Sequence, residues 1–384
     1  YAVGEDLPKD YAKAREWYEK AAAAGDKDGL TKIGLLYVNG QGVPRDYAKA
    51  RSWLDKATSG DAFAMIDVGV LFASGKGVTR DQVKAREWFE KAAVTGNTAA
   101  IRDIGQRYAV GEDLPKDYAK AREWYEKAAT AGDTVAMRNI ALLYVRGDGV
   151  QQDYAKARQW YEKAVAAGDT DAMMGVAALH FTGRGVPQDH SRAHQWLEKA
   201  AAAGNAAAMS AIGDNYAGGQ SVPQDYAKAR DWYEKAAATR DARAMIKLAE
   251  HYSKGQGVPQ DYAKAREWLE KAVAVRDAGA DGDLAFIALF ARDFAQALNA
   301  ATRALAAQPD SLWIATNRAH ALMFLGRAEE AREVYLIHKN KRIPQNENKT
   351  WQQVIAEDFA ELRKAGLDHP QMLEIEAALG ILKK

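Results

Sequence analysis

Two histidines have the spacing of a metal site in this 384-residue chain. His190 and His194 are four residues apart, so on a helix both would lie on one face. Such a pair can bind zinc. No Glu follows the first His, as the zinc-protease motif requires, and no third ligand is evident. We therefore predict no metal and no cofactor, and keep a hydrolase using both histidines as an alternative that metal analysis of purified protein would test.

Paired glycines recur in several loops, for example Gly40 with Gly42 and Gly183 with Gly185. A nucleotide-binding fingerprint needs a preceding strand and a third glycine, and the sequence predicts neither here. Their recurrence indicates a repeated structural turn. Carboxylates are also plentiful, but no group of them forms a catalytic constellation, so the sequence predicts that the chain is not an enzyme.

The composition excludes several classes of protein. Lys and Arg number 53 against 52 Asp and Glu, and this balance argues against binding to nucleic acid. The chain has no cysteine, which excludes disulfides, thiolate metal sites and a cysteine nucleophile. No run of eighteen apolar residues occurs, so we expect no membrane insertion. The compartment stays open.

Tryptophan recurs with a nearly constant period. The intervals are 36 residues, except for one of 35, and the positions are 17, 53, 88, 124, 160, 196, 232 and 268. Residues 1–26 match residues 108–133 at every position except Ala23, which is Thr130 in the second copy. A fixed period of this length is typical of a solenoid.

Residues 134–168 show what one repeat contains. An apolar face predicts a first helix, helix A, that ends near Gly147. Asp153 stands where the N-cap of a second helix belongs, and Gly168 can close this helix B, over residues 154–167. The predicted buried faces are Met137, Ile140, Ala141 and Tyr144 in helix A, and Ala157, Trp160, Tyr161 and Ala164 in helix B. The capping aspartates would be Asp10, Asp46, Asp81, Asp117, Asp153, Asp189, Asp225 and Asp261.

A small residue follows the Ile, Val or Leu of every helix A. Gly inside a helix costs up to about 1 kcal/mol relative to Ala, so we expect a compensating close approach of helix B. The residues concerned are Gly34, Gly69, Gly105, Ala141, Ala177, Gly213 and Ala249.

The pattern Asp-Tyr-x-Lys-Ala-x-x-Trp-Tyr-x-Lys-Ala-Ala-x-x-Gly resembles the Sel1-like repeat, a relative of the tetratricopeptide repeat. The resemblance covers residues 1–277 as eight units, the first one incomplete. It implies an all-α fold, a right-handed α-solenoid of antiparallel helix pairs that acts as a scaffold for protein complexes. Some copies depart from the pattern. Asp6, Asp113 and Ser221 replace the second loop Gly, and Arg240 and Arg276 replace the Gly after helix B.

The period changes after Asp277. Residues 278–338 resemble tetratricopeptide helix pairs, and residues 339–384 predict a loop, over 339–349, followed by capping helices. At the other end Tyr1 aligns with Tyr108, so the first helix A is missing. We therefore expect that Trp17 and Tyr18 are more exposed than their copies, and that the natural protein extends upstream.

Helix A varies among the repeats on the side away from its buried face. We predict that this side, which lines the concave surface in related solenoids, binds a protein or peptide partner; drift at solvated positions is the alternative. The candidate residues are Lys32, Asp67, Asp103, Gln106, Arg107, Asn139, Asp214, Asn215, Lys247, Glu250 and His251. The second functional hypothesis is a regulatory or sensing arm of a larger enzyme, such as a caspase-like protease, whose catalytic domain lies upstream.

Overall fold

The computed structural model describes residues 10–111, 114–275, 277, 279–343 and 349–381. The chain forms two compact units, unit 1 (residues 1–189) and unit 2 (residues 190–384). Unit 1 contains α1 (Tyr11–Ala23), α2 (Lys27–Asn39), α3 (Tyr47–Ala57), α4 (Ala62–Ser74), α5 (Gln82–Val94), α6 (Thr98–Val110), α7 (Tyr118–Thr130), α8 (Thr134–Arg146), α9 (Tyr154–Ala166) and α10 (Thr170–Thr182).

Unit 2 continues the alternation of helices. It contains α11 (His190–Ala202), α12 (Ala206–Gly218), α13 (Tyr226–Ala238), α14 (Ala242–Lys254), α15 (Tyr262–Ala274), α16 (Ala280–Phe290), α17 (Phe294–Ala307), α18 (Leu312–Phe324), α19 (Ala328–Ile337), β1 (Arg342–Ile343), β2 (Lys349–Thr350), α20 (Trp351–Lys364) and α21 (Gln371–Leu379). Up to α15, even-numbered helices are helices A and odd-numbered helices are helices B. Within each unit the fold is therefore the predicted all-α solenoid of helix pairs.

The predicted helix limits are confirmed in the repeat built from α8 and α9. Gly147 ends α8 in the left-handed conformation, with φ +78°. Asp153 accepts a hydrogen bond from the backbone N–H of Lys156 (2.9 Å), which is the expected N-cap. The same cap is present at Asp10, Asp46, Asp81, Asp117, Asp225 and Asp261.

Each helix A also begins at a capping side chain, which the sequence analysis missed. The residues are Asp26, Asp61, Asn97, Asp133, Asp169, Asn205 and Asp241. Four of these caps also join successive helices A, two through the hydroxyls of Thr31 and Ser210 and two through arginines. Arg102 of α6 donates to both carboxylate oxygens of Asp133, at 3.0 and 2.8 Å, and Arg138 of α8 donates to Asp169 at 3.0 Å. Helix capping and repeat stacking thus share the same carboxylates.

The small residue of helix A lies against a large side chain of helix B, as predicted. A Cβ atom on Gly105 would come within 2.7 Å of the Tyr125 ring, and one on Gly213 within 2.5 Å of the Tyr233 ring. Both tyrosines are buried. Real Cβ atoms do not approach other atoms so closely, so these rings can occupy the core only because the facing residue has no side chain.

Most of the repeat tryptophans are less buried than we predicted, although Trp124 is buried. Trp160 lies at the edge of the apolar stripe of α9 and is half-buried, whereas the next residue, Tyr161, is buried. Lys163, three residues on, places its ammonium nitrogen 4.2 Å from the centre of the Trp160 ring. Trp17 is 59% exposed, more than its copies, as expected. The equivalent lysine covers the tryptophan in all eight copies, at 3.9 to 4.7 Å, which is the geometry of a cation–π contact.

The two loop glycines have different roles. Gly147 closes α8, whereas Gly149, with φ +67°, lies against the start of the preceding helix B. A Cβ on Gly149 would come within 2.4 Å of the Tyr118 Cβ atom. The recurring glycine pair is therefore a turn that lets neighbouring repeats approach each other. Arg240 keeps the left-handed conformation of the Gly it replaces, with φ +69°. Asp6, Asp113 and Arg276 lie outside the described residues.

The last helices of unit 2 enclose a separate apolar core around Trp351, which is fully buried and donates a hydrogen bond to the backbone oxygen of Tyr335 (2.9 Å). His320 joins three helices, since its ring nitrogens lie 2.5 Å from the Tyr335 hydroxyl and 3.2 Å from Asp358. The predicted loop contains a short antiparallel pair, β1 with β2. The predicted domain boundary at residue 277 stays a prediction. Within the described ranges no helix has the length and apolarity needed to cross a bilayer.

The two roles of glycine can be separated by mutation. We expect Gly149→Ala to destabilise the protein by about 2–4 kcal/mol, because it adds a steric clash with Tyr118 to the strain of a positive φ. Gly132→Ala is the matched control. Gly132 has φ +91° but open space around it, so only the strain of roughly 1–2 kcal/mol should appear. Chemical denaturation measures both changes, and equal losses would contradict the packing role of Gly149.

Candidate functional site

The predicted partner-binding residues lie on helices A. In unit 1 they lie on α2, α4, α6 and α8, and in unit 2 on α12 and α14. Lys32, Gln106 and Asp214 are exposed. A second group is half-buried: Asp103, Arg107, Asn139, Asn215, Lys247 and Glu250. Asp67 and His251 are buried. Most of the set therefore borders the surface, but few of its members are fully solvated.

In unit 1 an ion-pair cluster connects two helices A. The Arg107 guanidinium on α6 lies 3.0 Å from the Asp67 carboxylate on α4 and 2.7 Å from the Asp103 carboxylate. A cavity of about 280 Å³ lies beside this cluster, with Leu35 and Val70 among its lining residues. Successive helices A thus leave a recess between them with an apolar wall and a charged wall.

A second recess of about 160 Å³ lies between α6 and α8, lined by Gln106, Asn139, Leu142 and Tyr125. The Tyr125 hydroxyl donates to the side-chain oxygen of Gln106 (3.0 Å). Burial raises the pKa of Tyr125 to about 12. This hydroxyl is therefore a neutral hydrogen-bonding group at physiological pH, and it holds Gln106 at the edge of the recess.

In unit 2 the candidate residues are also engaged in contacts within the chain. Asp214 accepts a hydrogen bond from the Tyr233 hydroxyl (2.8 Å) and pairs with Arg243 (3.1 Å). Burial, followed by the hydrogen bond to the Asp214 carboxylate, raises the pKa of Tyr233. Asp214 therefore connects the core of this repeat to its surface.

His251 does not reach the surface of α14. Its ring is buried and lies edge-to-face against Tyr226 and Tyr233, with centroid distances of 5.6 and 5.3 Å. Burial lowers the pKa of His251, which favours the neutral ring. We therefore leave His251 out of the binding surface.

A third recess, of about 240 Å³, lies between α14, α16 and α18. Glu250 stands at its edge, held by Lys247 (2.9 Å) and Lys254 (2.6 Å). Burial alone would raise the pKa of Glu250, but hydrogen bonds to Lys254 and Lys247 lower it overall. Asp283, Phe286 and Trp313 also line this recess.

Asp283 and Phe286 are absent from the predicted set, although the sequence contains a signal for them. They follow Lys247 and Glu250 by 36 residues, which is the repeat period. The Sel1-like pattern ends near residue 277, whereas the helix-A surface continues into α16, where both residues line the third recess. The period, continued by one more repeat, is therefore sufficient to predict both residues.

The structure places the two candidate zinc ligands on α11. His194 is buried, with its ring edge-to-face against Tyr216 (5.7 Å) and Nδ1 3.4 Å from the Asn215 amide nitrogen. Its Nε2 lies 3.7 Å from Glu198. The part of the chain that the structure describes brings no three His, Cys, Asp or Glu side chains together in a metal-binding group.

Comparison with known proteins gives the context of this surface. The Sel1 repeat matches residues 1–26, 27–61, 62–93, 98–133, 134–169, 170–205, 206–238 and 242–274. A protective antigen of uropathogenic Escherichia coli with an SLR fold is 28% identical, with a TM-score of 0.50 over 99% of this chain and 82% of that chain. A Sel1 repeat protein from Oxalobacter formigenes is 34% identical, with a TM-score of 0.50 over 70% of this chain and 79% of that chain. No curated protein matches the chain.

The ion-pair cluster of unit 1 gives a test of how far these residues are structural. We expect Arg107→Met to destabilise unit 1 by roughly 1–3 kcal/mol, because it removes charged hydrogen bonds to Asp67, which is buried. Lys32→Met, at an exposed helix-A position of the same unit, should change stability by less than about 1 kcal/mol. Thermal unfolding followed by circular dichroism compares the two variants. If both variants unfold at the same temperature, the ion-pair cluster does not contribute to the stability of unit 1.

Proposed function

This chain belongs to the Sel1 repeat family, and on that premise we propose that it is a scaffold that binds a protein or peptide partner along its helix-A surface. Sel1 repeat solenoids generally mediate protein–protein interactions. The surface proposed here consists of the predicted candidates other than His251, together with Asp283 and Phe286.

One observation carries this proposal. In both units recesses of about 160 to 280 Å³ lie along the helices A, and five of the variable residues line them: Asp67, Gln106, Arg107, Asn139 and Glu250. Helix B, in contrast, repeats almost the same sequence and directs its aromatic residues to packing. A row of recesses with different side chains can discriminate along an extended partner, because each recess can accept a different residue.

The internal contacts of the candidates also support recognition. Charged groups already held by Arg107, Arg243 or the lysines beside Glu250 present fixed donors and acceptors. A partner then has to order fewer side chains on binding, which reduces the entropic cost of association. The same contacts make charge reversal a poor test, since such variants would also disturb the fold.

Photo-crosslinking in the native host tests the proposal without breaking these ion pairs. A benzoylphenylalanine would replace Lys32 or Gln106, both exposed on helices A. Glu123 on α7 and Glu162 on α9 are the matched controls, because both are exposed on helices B of the same unit. We expect one defined protein to crosslink from the helix-A positions and not from the controls, with identification by mass spectrometry. Equal crosslinking from all four positions, or none from the helix-A positions, would refute the proposal.

A further inference from the structure

We propose that the recess between α14, α16 and α18 binds a basic side chain, Lys or Arg, of the partner, with the carboxylate of Asp283 as its counter-charge. This inference rests on the proposed function, which it makes more specific. The geometry of the recess, the balance of charge within it and its aromatic wall carry the argument.

The size of the recess selects the class of ligand. Its volume of about 240 Å³ lies below the ~300–1,000 Å³ typical of small-molecule sites, but it is sufficient for one long side chain. Its lining includes Ile246, Phe286 and Trp313, which offer apolar contact to an aliphatic stem. Trp313 lies against α16 at Gly282, where a Cβ would come within 2.8 Å of the indole ring. This contact places the indole next to the helix that carries Asp283.

The charge in the recess favours a cation. Asp283 is half-buried and makes no hydrogen bond or ion pair with any other described residue. Burial, followed by the nearby carboxylates of Glu250 and Asp277, raises the pKa of Asp283, while Lys247 opposes the shift. An incoming ammonium or guanidinium group would supply the missing positive charge. Half-buried pairs of this kind are stronger than surface pairs, because less water screens them.

The same arrangement disfavours an anion. The two ammonium groups beside the recess, those of Lys247 and Lys254, both pair with Glu250, at 2.9 and 2.6 Å. An acidic side chain would meet Asp283 without an available cation. Trp313 and Phe286 line the recess, and aromatic rings attract cations, which adds to the preference for positive charge. Selection between basic and acidic partner residues thus follows from both attraction and repulsion.

Nuclear magnetic resonance on the full chain can test this proposal with three small probes. The probes are N-acetyl-lysine N-methylamide, the arginine equivalent, and N-acetyl-norleucine N-methylamide, which has an apolar stem but no charge. Loss of one signal in Trp313→Phe assigns the Trp313 indole N–H. We expect the two basic probes to shift this signal saturably at constant ionic strength. The norleucine probe should bind at least roughly tenfold more weakly than the basic probes. This is the difference in affinity expected for one charged hydrogen bond.

Two variants locate the counter-charge. Asp283→Asn should remove the preference for the basic probes while keeping the size of the side chain. Asp281→Asn is the matched control on the same helix, since Asp281 already pairs with Arg303 (2.6 Å), and it should bind the probes like the wild type. If Asp283→Asn does not fold, the comparison of lysine with norleucine on the wild-type chain still decides the question.

The outcomes separate this inference from the proposed function. Equal binding of norleucine and lysine, absence of any saturable shift, or unchanged selectivity in Asp283→Asn would overturn the basic-side-chain pocket, even if crosslinks from helix A persist. Selective lysine binding without helix-A crosslinks would overturn the proposed function and leave the cation preference of the recess standing.

Discussion

The close approach of helix A to helix B is the constraint on which the rest of the structure depends. Gly105 and Gly213 leave room for the rings of Tyr125 and Tyr233, which then fill the space that would otherwise separate the helices. Tight packing of this kind makes the repeat sensitive to a single added methyl group. Between successive pairs, Gly149 allows a similar close approach to Tyr118, so both distances depend on a residue without a side chain.

Many carboxylates of the repeat cap helix N-termini, where they accept hydrogen bonds from backbone N–H groups. Asp153 caps a helix B, whereas Asp133 both caps α8 and accepts the guanidinium of Arg102. Carboxylates with fixed donors therefore contribute to helix capping and to the stacking of repeats. The half-buried tryptophans are likewise covered by lysines from the same helix. A family that generally mediates protein interactions is consistent with this use of its side chains.

The proposed binding surface consists of helix-A side chains that are not needed for packing between helices. Arg107 and Glu250 border recesses and Asp214 is exposed, yet each is anchored by neighbours within the same unit. Asp283 differs, because it forms no hydrogen bond or ion pair with another described residue. In the proposed function, a charge that is paired along most of the surface and unpaired in one recess would give a partner a preferred register. Such a feature selects partners more than it adds affinity.

The sequence by itself determined the repeat, its family and the limits of its helices, because period, capping and glycine placement are local properties that recur every 36 residues. It also located the variable side of helix A. Only the tertiary structure decided which of those residues are accessible. His251 shares the variable phase but turns into an aromatic cluster, and Trp160 lies at the edge of its stripe while Tyr161 is buried. Side chains one helical position apart differ in burial according to what the neighbouring helix supplies, and periodicity alone does not contain that information.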